Sequence, residues 1–572
     1  MALAAHIITI IFLLFIISIR GLFMISKRYR GGFTFLELVI VVMILGVLAA
    51  ISIPNFRKAR QSRPRPTLGF AVGGAMDVLN FRENINEGYL PLPTAITTEG
   101  IYNEYFFDTG MKEGEEANQL FYPTYTAAVS RNPVTGELEN YISVGLNSNL
   151  EVNEFKRRKL NLVVVLDISG SMSSQFNKYY NGGQAPKAGA RSSADSNRSI
   201  LDIAGQNIIN MLEHLNEDDN FSLVLFDDNA ETPCSLNKVD ENYKAQLRTY
   251  IQGLKPRGST NMEKGIITGI QQYVNFKNEA AGDYENRIIF LTDAMPNTGA
   301  INSVDLMSLA AGAAKNRIHT TFIGVGLAFN SDLINRIATI SGANYFSVQS
   351  SEEFRERLDE NFNYMVCPLV YNLSFKLEST GYQIEKVYGS PEANAATGEL
   401  MKVSCLFPSP TNEEGETRGG LILLRLKKTG HTGDLKLVVN YEMNDGYPCS
   451  AEAKVAFEGA EAEYYENTGI RKGIMLARYA ELMQNWISSE RHAGGEMYAR
   501  HREVWENESV KLVASDDNRK LLQTFKSYMI SEIQQINDLT LNREITLIDK
   551  VLSNSGHIAQ FREEYEKSQA NM

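Results

Sequence analysis

Cysteine is scarce in this 572-residue chain, and its four copies, Cys234, Cys367, Cys405 and Cys449, are too far apart to form the close pairs that zinc ligation uses. That excludes a zinc module. If the chain is exported, one or two disulfides are expected or else free buried thiols, and the spacing does not choose between them. An excess of positive charge is also missing. Lys and Arg number 56 against 68 Asp and Glu, giving a net charge of -12. With no basic block beyond a short one near the N-terminus, nucleic acid is not an expected partner. There is no Ser/His/Asp ordering, glycine-rich phosphate loop or zinc signature, so no enzymatic activity is expected. Proline is sparse too, at 16 against 43 glycines, and with 44% hydrophobic residues the composition is globular rather than disordered or fibrous. The length calls for about three or four domains.

Two apolar stretches open the chain, residues 2–19 and 33–53, separated by a basic patch containing Arg20, Lys27, Arg28 and Arg30. As a helix the second would rise about 31 Å, the thickness of a bilayer's hydrocarbon core. The basic patch should stay cytoplasmic, so the chain beyond Pro54 should lie across the membrane. Glu37 sits inside this run, where an unpaired carboxylate costs a few kcal/mol and is usually functional. The leader KRYRGG, then Phe33, Glu37, an apolar helix and Pro54 resemble the N-terminus of the type IV prepilin family over residues 24 to about 60. The resemblance implies that a prepilin peptidase cuts between Gly32 and Phe33 and methylates the new amino group. It also implies that Glu37 pairs with a neighbouring pilin's N-terminus during assembly. Two features depart from the pattern. Translation from Met24 would give a leader of ordinary length, which is the preferred reading of residues 1–23. The helix is broken by Pro64 and Pro66 in RQSRPRP, and no pilin head is evident.

From residue 160 the pattern changes to short apolar runs alternating with helical ones, the signature of a parallel sheet covered by helices. Strands are predicted at 160–166, 221–226, 287–291, 319–325 and 344–348, each continuously apolar as buried parallel strands are. Leu201, Ala204, Ile208, Met211 and Leu215 recur at helical spacing, as do Met262, Ile266, Ile270 and Val274; Ser303 and Ser331 are candidate N-caps. Ligands of such sheets bind at the carboxyl ends of the strands, where three polar clusters fall. These are Asp167, Ser169 and Ser171 in DISGSMS, Thr260 in GSTN, and Asp293 in LTDA.

The five residues resemble the metal-ion-dependent adhesion site of von Willebrand factor A (VWA) domains, DxSxS with a separate threonine and aspartate. Hydroxyl and carboxylate oxygens suit a hard cation, Mg²⁺ or else Mn²⁺ or Ca²⁺. Ser169, Ser171 and Thr260 are the expected direct ligands, with Asp167 and Asp293 acting through water. The neutral hydroxyls would leave the metal positive and one position open for a carboxylate of a partner protein or surface. Capping of the following helix would account for Asp167 and its serines but not for Thr260 and Asp293. Two departures from the family pattern stand beside the site. The polar stretch 175–199 reads as a long loop that either shapes specificity or has no role, and Ala294 replaces a glycine.

Strand-like runs flank this unit, and GFAVGGAMDVLNFRENINEGYLPLPTAI resembles bacterial VWA proteins whose A domain is inserted in a β-sandwich. Amphipathic spacing in RKGIMLARYAELMQNWI and RKLLQTFKSYMISEIQQI predicts a helical C-terminal region. The expected fold is a doubly wound, mostly parallel α/β sheet (VWA/Rossmann-like) inserted in a β-sandwich, with an N-terminal transmembrane helix and C-terminal helices. Its parts are a leader at 1–32, a pilin-like transmembrane helix at 33–60 and a β-rich domain in two pieces, 67–158 and 367–458. The VWA domain occupies 159–366 and the helical region 459–572. The expected protein spans the inner membrane once, with its bulk periplasmic or extracellular, or enters a pilus. Its expected function is metal-dependent ligand binding or adhesion; the alternative is a minor pilin or pseudopilin using the A domain for assembly contacts.

Overall fold

The computed structural model describes residues 67–553 apart from 74–77, 112–118, 175–197, 275–282, 294–302, 326–339, 349–350, 356–357, 360, 380, 391–398, 431–434, 444–445, 456–462 and 493–509. Gly32, Phe33, Glu37, the membrane helix expected over 33–60, Ala294, Ser331 and most of the polar loop lie outside the described residues. Among the described residues no helix is long and apolar enough to cross a membrane.

The central unit runs β1 (Lys159–Asp167), α1 (Ile200–Leu212), β2 (Asn220–Phe226), β3 (Ala230–Lys238), α2 (Glu241–Gln252), α3 (Met262–Val274), β4 (Tyr284–Thr292), α4 (Ser303–Lys315), β5 (Ile318–Val325) and β6 (Asn344–Val348). Each of the five predicted apolar runs forms a strand, and the sheet order is β6-β5-β4-β1-β2-β3. All pairs are parallel except β2 with β3. β1 is buried throughout apart from Lys159 because helices cover both faces of the sheet. Leu160, Leu162, Val164 and Leu166 pack with α1 and α2, and Val163 and Val165 with α3 and α4. Each such side chain contributes about 1.5–3 kcal/mol on burial. α1 starts at a capping box in which the Ser199 hydroxyl accepts from the Asp202 N–H and the Asp202 carboxylate accepts from the Ser199 N–H. Gly269 lets α3 lie close to the sheet, since a Cβ there would stand 2.7 Å from the Val165 Cγ2.

This unit sits between two strands, Leu138–Glu151 and Val370–Ser379, of a second sheet of ten strands. The second sheet is hydrogen-bonded as one continuous surface and not as two separate layers. Buried residues near its opposite ends, such as Ile384 and Val439, nevertheless share one core with Val144 and Phe121, so the sheet folds over on itself. Both expected C-terminal helices form, α5 (Thr468–His492) and α6 (Asp516–Ile536), followed by α7 (Asn542–Ser553). They pack against residues 78–107, where Phe81, Ile85 and Phe107 meet Ile474, Met483, Trp486, Phe525 and Ile548. Arg82, buried among them, pairs with Glu104 and Glu544 at 2.6 Å each. All four cysteines are free thiols, Cys367 and Cys405 fully buried.

A buried ionic cluster ties the two sheets together. Glu285, near the start of β4, accepts hydrogen bonds from Arg287 (2.8 Å), His319 (2.7 Å), Arg158 (3.3 Å) and the Tyr371 hydroxyl (3.2 Å). Tyr371 belongs to the ten-stranded sheet, as does Phe407, over whose ring the Arg287 guanidinium lies at 5.5 Å. Burial alone would raise the Glu285 carboxyl, but the charges of His319, Arg287 and Arg158 hold it down to about 2. A depressed carboxyl stabilises the fold above its unfolded value, and that contribution is lost as pH falls from about 4.5 towards 2. Glu285→Gln should therefore cost about 3–5 kcal/mol at pH 7 by leaving buried cations uncompensated. In urea unfolding the gap between parent and variant should narrow below pH 4; a gap independent of pH would contradict this assignment.

Candidate metal centre

The carboxyl ends of β1 and β4 are neighbours in the central sheet, with Leu166 paired to Leu291. This register places the DxSxS loop beside Asp293, although 122 residues separate Ser171 from it in sequence. Asp167 is fully buried and fixed at both oxygens. Its Oδ1 accepts from the Ser169 N–H (2.8 Å) and its Oδ2 from the Thr292 hydroxyl (2.6 Å). The Ser169 and Ser171 hydroxyls are 3.0 Å apart, and Ser171 donates to Asp293 Oδ1 at 2.8 Å. Ser169 is the residue before a short 3-10 turn, Gly170–Ser173, which directs both hydroxyls to the same side.

Thr260 lies on the 257–261 loop, which is pinned to the DxSxS loop by two backbone bonds, Arg257 N to Ile168 O (2.7 Å) and Gly170 N to Gly258 O (3.0 Å). A third bond, Asn261 N to Asp227 O (2.8 Å), ties the loop to the end of β2. Side chains reinforce it: Arg257 Nε donates to Asp227 (2.6 Å), and the Ser259 hydroxyl donates to Asp228. Gly258 has φ +69°, and a Cβ there would stand 2.6 Å from Asp228 Oδ2. The loop therefore needs glycine at its closest approach to Asp228.

The electrostatics fit a cation. Burial, with the charge of Asp167 adding to it, pushes the Asp293 carboxyl up to about 6 against the opposing Ser171 hydrogen bond. Asp167 is also raised, by burial and then by Asp227, against the donors Thr292 and Ser169. The donors to these two carboxylates are hydroxyl groups and a backbone N–H, not basic side chains. The Ser169–Ser171 and Ser171–Asp293 spacings are hydrogen-bond lengths that hold three oxygens facing one another. Among the described residues no group of three or more His, Cys, Asp or Glu side chains that could hold a metal comes together, so a cation here would depend on hydroxyl oxygens beside the two carboxylates.

Of the five residues singled out in the sequence, the structure joins Asp167, Ser169, Ser171 and Asp293 in one chain of contacts and brings the Thr260 loop against them. Thr292, Gly258 and Asp227 went unnoticed. Thr292 is the last residue of an apolar strand, and its polarity there was the available signal. Gly258 and Asp227 act through backbone geometry that spacing does not carry.

Residues 192–360 match the von Willebrand factor type A domain family, and residues 27–53 match the prokaryotic N-terminal methylation motif. The chain thus carries a VWA domain and a pilin-type N-terminal motif. Thr260 and Asp293 fall within the VWA match, whereas Asp167, Ser169 and Ser171 precede it. The uncharacterized protein YfbK of Escherichia coli K12 is 22% identical over 303 residues, which are 52% of this chain and 47% of that protein. The chain thus spans about half the length of that relative. A fimbrial protein of Dichelobacter nodosus is 31% identical over 106 residues, 18% of this chain and 64% of that protein. The structure of a von Willebrand factor type A protein from Catenulispora acidiphila aligns with a TM-score of 0.41 and 12% identity, covering 74% of this chain and 89% of that one. The two family matches together point to a membrane-anchored or pilus-associated surface protein.

Gly258→Ala tests the loop without removing any oxygen ligand. It should lower divalent-cation affinity about tenfold, the equivalent of roughly 1–2 kcal/mol for a left-handed alanine. Calorimetric titration with Mg²⁺ would measure it, and unchanged affinity would show that the loop's position does not govern the site.

Proposed function

We propose that this protein is a membrane- or pilus-anchored surface protein whose VWA domain holds a divalent cation at Asp167, Ser169, Ser171, Thr260 and Asp293, and binds an acidic group of a partner through it. The observation that carries this reading is the convergence of the Ser169, Ser171 and Asp293 oxygens at 2.8–3.0 Å where the carboxyl ends of two central strands meet. The two serines and Thr260 would contact the metal, and the two aspartates would hold its waters. Hydroxyl ligands leave the cation's charge largely uncompensated, so an incoming carboxylate gains a strong interaction. The reading is of binding rather than turnover, because among the described residues the donors to Asp167 and Asp293 are hydroxyls and a backbone N–H, with no histidine or lysine among them. The methylation motif and the likeness to a fimbrial protein support the rest: a prepilin peptidase cutting between Gly32 and Phe33, a single membrane span, and other pilins as neighbours through Glu37.

The test is calorimetry on residues 66–572 with Mg²⁺, Mn²⁺ and Ca²⁺. Mg²⁺ and Mn²⁺ should bind more tightly than Ca²⁺, and Asp167→Ala or Asp293→Ala should each weaken binding by about a hundredfold or more. Absence of binding in the parent would refute the metal reading. The same two variants distinguish a ligand-binding protein from a filament subunit. Loss of attachment with filaments intact supports the first, and loss of incorporation supports the second.

A further inference from the structure

Lys472, one turn into α5, has a side chain only 2% exposed. The first turn of α5 lies tight against the backbone of residues 106–108, since a Cβ on Gly469 would stand 1.8 Å from Asp108 O. Lys472 is thereby set over the Phe107 ring, with Nζ 5.7 Å from its centroid, and Nζ donates to Phe106 O at 2.6 Å. Two carboxylates from distant parts of the chain complete its surroundings, Asp538 Oδ2 at 3.0 Å and Glu416 Oε1 at 3.9 Å. An ion pair in such a place adds little net stability, because losing water from both charges offsets most of their attraction.

Both carboxylates are held by the oxygen that does not face the lysine. Asn537 ends α6 in left-handed backbone (φ 60°), and Asp538 follows directly. Asp538 Oδ1 accepts from the Thr540 N–H (3.0 Å) and the Thr540 hydroxyl (2.6 Å), which polarises the carboxyl carbon and leaves Oδ2 against the amine. Glu416 precedes the short strand Thr417–Arg418, which pairs with Phe106–Phe107, and its Oε2 accepts from Asn412 at 3.0 Å. Burial raises the Glu416 carboxyl above its ordinary value against the opposing charge of Lys472, and Asp538 and Asp108 add to the rise. Burial would raise Asp538 as well, but the Thr540 hydrogen bonds and the Lys472 charge hold it below its ordinary value. Glu416 is therefore the more basic of the two carboxylates.

We propose that Lys472 and Asp538 join in an intramolecular isopeptide bond, with Glu416 carrying a proton between them. The Lys472 ammonium gives a proton to Glu416, and the freed Nζ lone pair attacks Asp538 Cγ while the Thr540 donors take up the charge that develops on Oδ1. The Nζ–Cγ bond forms and the Cγ–Oδ2 bond breaks. Oδ2 leaves as water with two protons from Lys472, one of them by way of Glu416, which ends unchanged. One ammonium and one carboxylate become one amide and one water, so no oxidant or activating group is required. Positioning takes the place of activation, because well-oriented intramolecular partners reach effective concentrations of about 10⁵–10⁸ M. The bond would tie α5 to the turn between α6 and α7 and close the helical region covalently, whatever the VWA domain binds.

The experiment is mass spectrometry on the full chain purified in detergent micelles, first intact and then after trypsin digestion. The intact chain should be one water lighter than its sequence, after allowance for N-terminal processing. Trypsin should release a branched peptide in which the segment carrying Lys472 is joined to the segment carrying Asp538. Lys472→Arg, which keeps the positive charge without a reactive amine, and Asp538→Ala should both have the full sequence mass and lack the branched peptide. Glu416→Gln should slow joining at least about tenfold. The measurement on the parent needs no variant to fold. A parent chain without the branched peptide would overturn the proposal, even if a water had been lost elsewhere, and unslowed joining in Glu416→Gln would overturn the role given to Glu416.

Discussion

The parallel pairing of β1 with β4 is the constraint on which the rest of the structure depends. It fixes Leu166 opposite Leu291, and from that register Asp167 and Asp293 emerge side by side at the carboxyl edge of the sheet. A slip of one residue would turn the inward side chains outward and separate the two carboxylates. The register is held by valines and leucines buried on both faces of β1 and by the Thr292 hydroxyl, which binds Asp167 across the pair. Packing energy from the core thus sets the geometry of a polar site that would otherwise disfavour its own assembly, since it brings two carboxylates together in a partly buried space.

The same strand carries the second polar feature of the unit. β4 begins at the Glu285 and Arg287 cluster, which reaches Tyr371 and Phe407 of the other sheet, and ends at Thr292 and Asp293. Nine residues of strand span about 25–30 Å, so the metal centre and the seam lie at opposite ends of one rigid element. Glu285 and Arg287 would be a poor bargain as an isolated pair, because desolvating both charges offsets most of their attraction. With four donors on one carboxylate they become a specific junction, one that accepts only a single placement of Tyr371 and Phe407.

Much of this was legible in the sequence, and what was illegible has a common cause. The five strands could be read because buried parallel strands are continuous apolar runs, and the DxSxS and Asp293 positions because they follow such runs directly; Thr260, on a loop between two helices, could be joined to them only through the family resemblance. Arg287 was read simply as the start of the run RIIFL, although it is fully buried. Its carboxylate partner Glu285 lies two residues away on the same strand, but the other groups on that carboxylate, His319 and Tyr371, come from two further strands that no local pattern joins to it. The partner of the C-terminal helices was hidden for the same reason, since Arg82 meets Glu544 across 462 positions. Nor could alternation along each strand show that the flanking strands share one folded-over sheet. The fate of the cysteines depended on three-dimensional distances that spacing does not supply.

The insertion itself bears on how a surface protein could transmit load. The VWA domain joins the ten-stranded sheet through two connections, one after Glu151 and one before Val370. Pull applied at Asp293 would enter β4 and β1 at their carboxyl ends, and β1 begins eight residues after Glu151. The force would therefore run along the strands, loading the β1–β4 hydrogen bonds in shear rather than peeling them one by one. What remains would reach the sheet through those short connections and the Glu285 junction beside them. The Asp293 end of β4 and the buried ionic cluster thus stand at the two ends of that path.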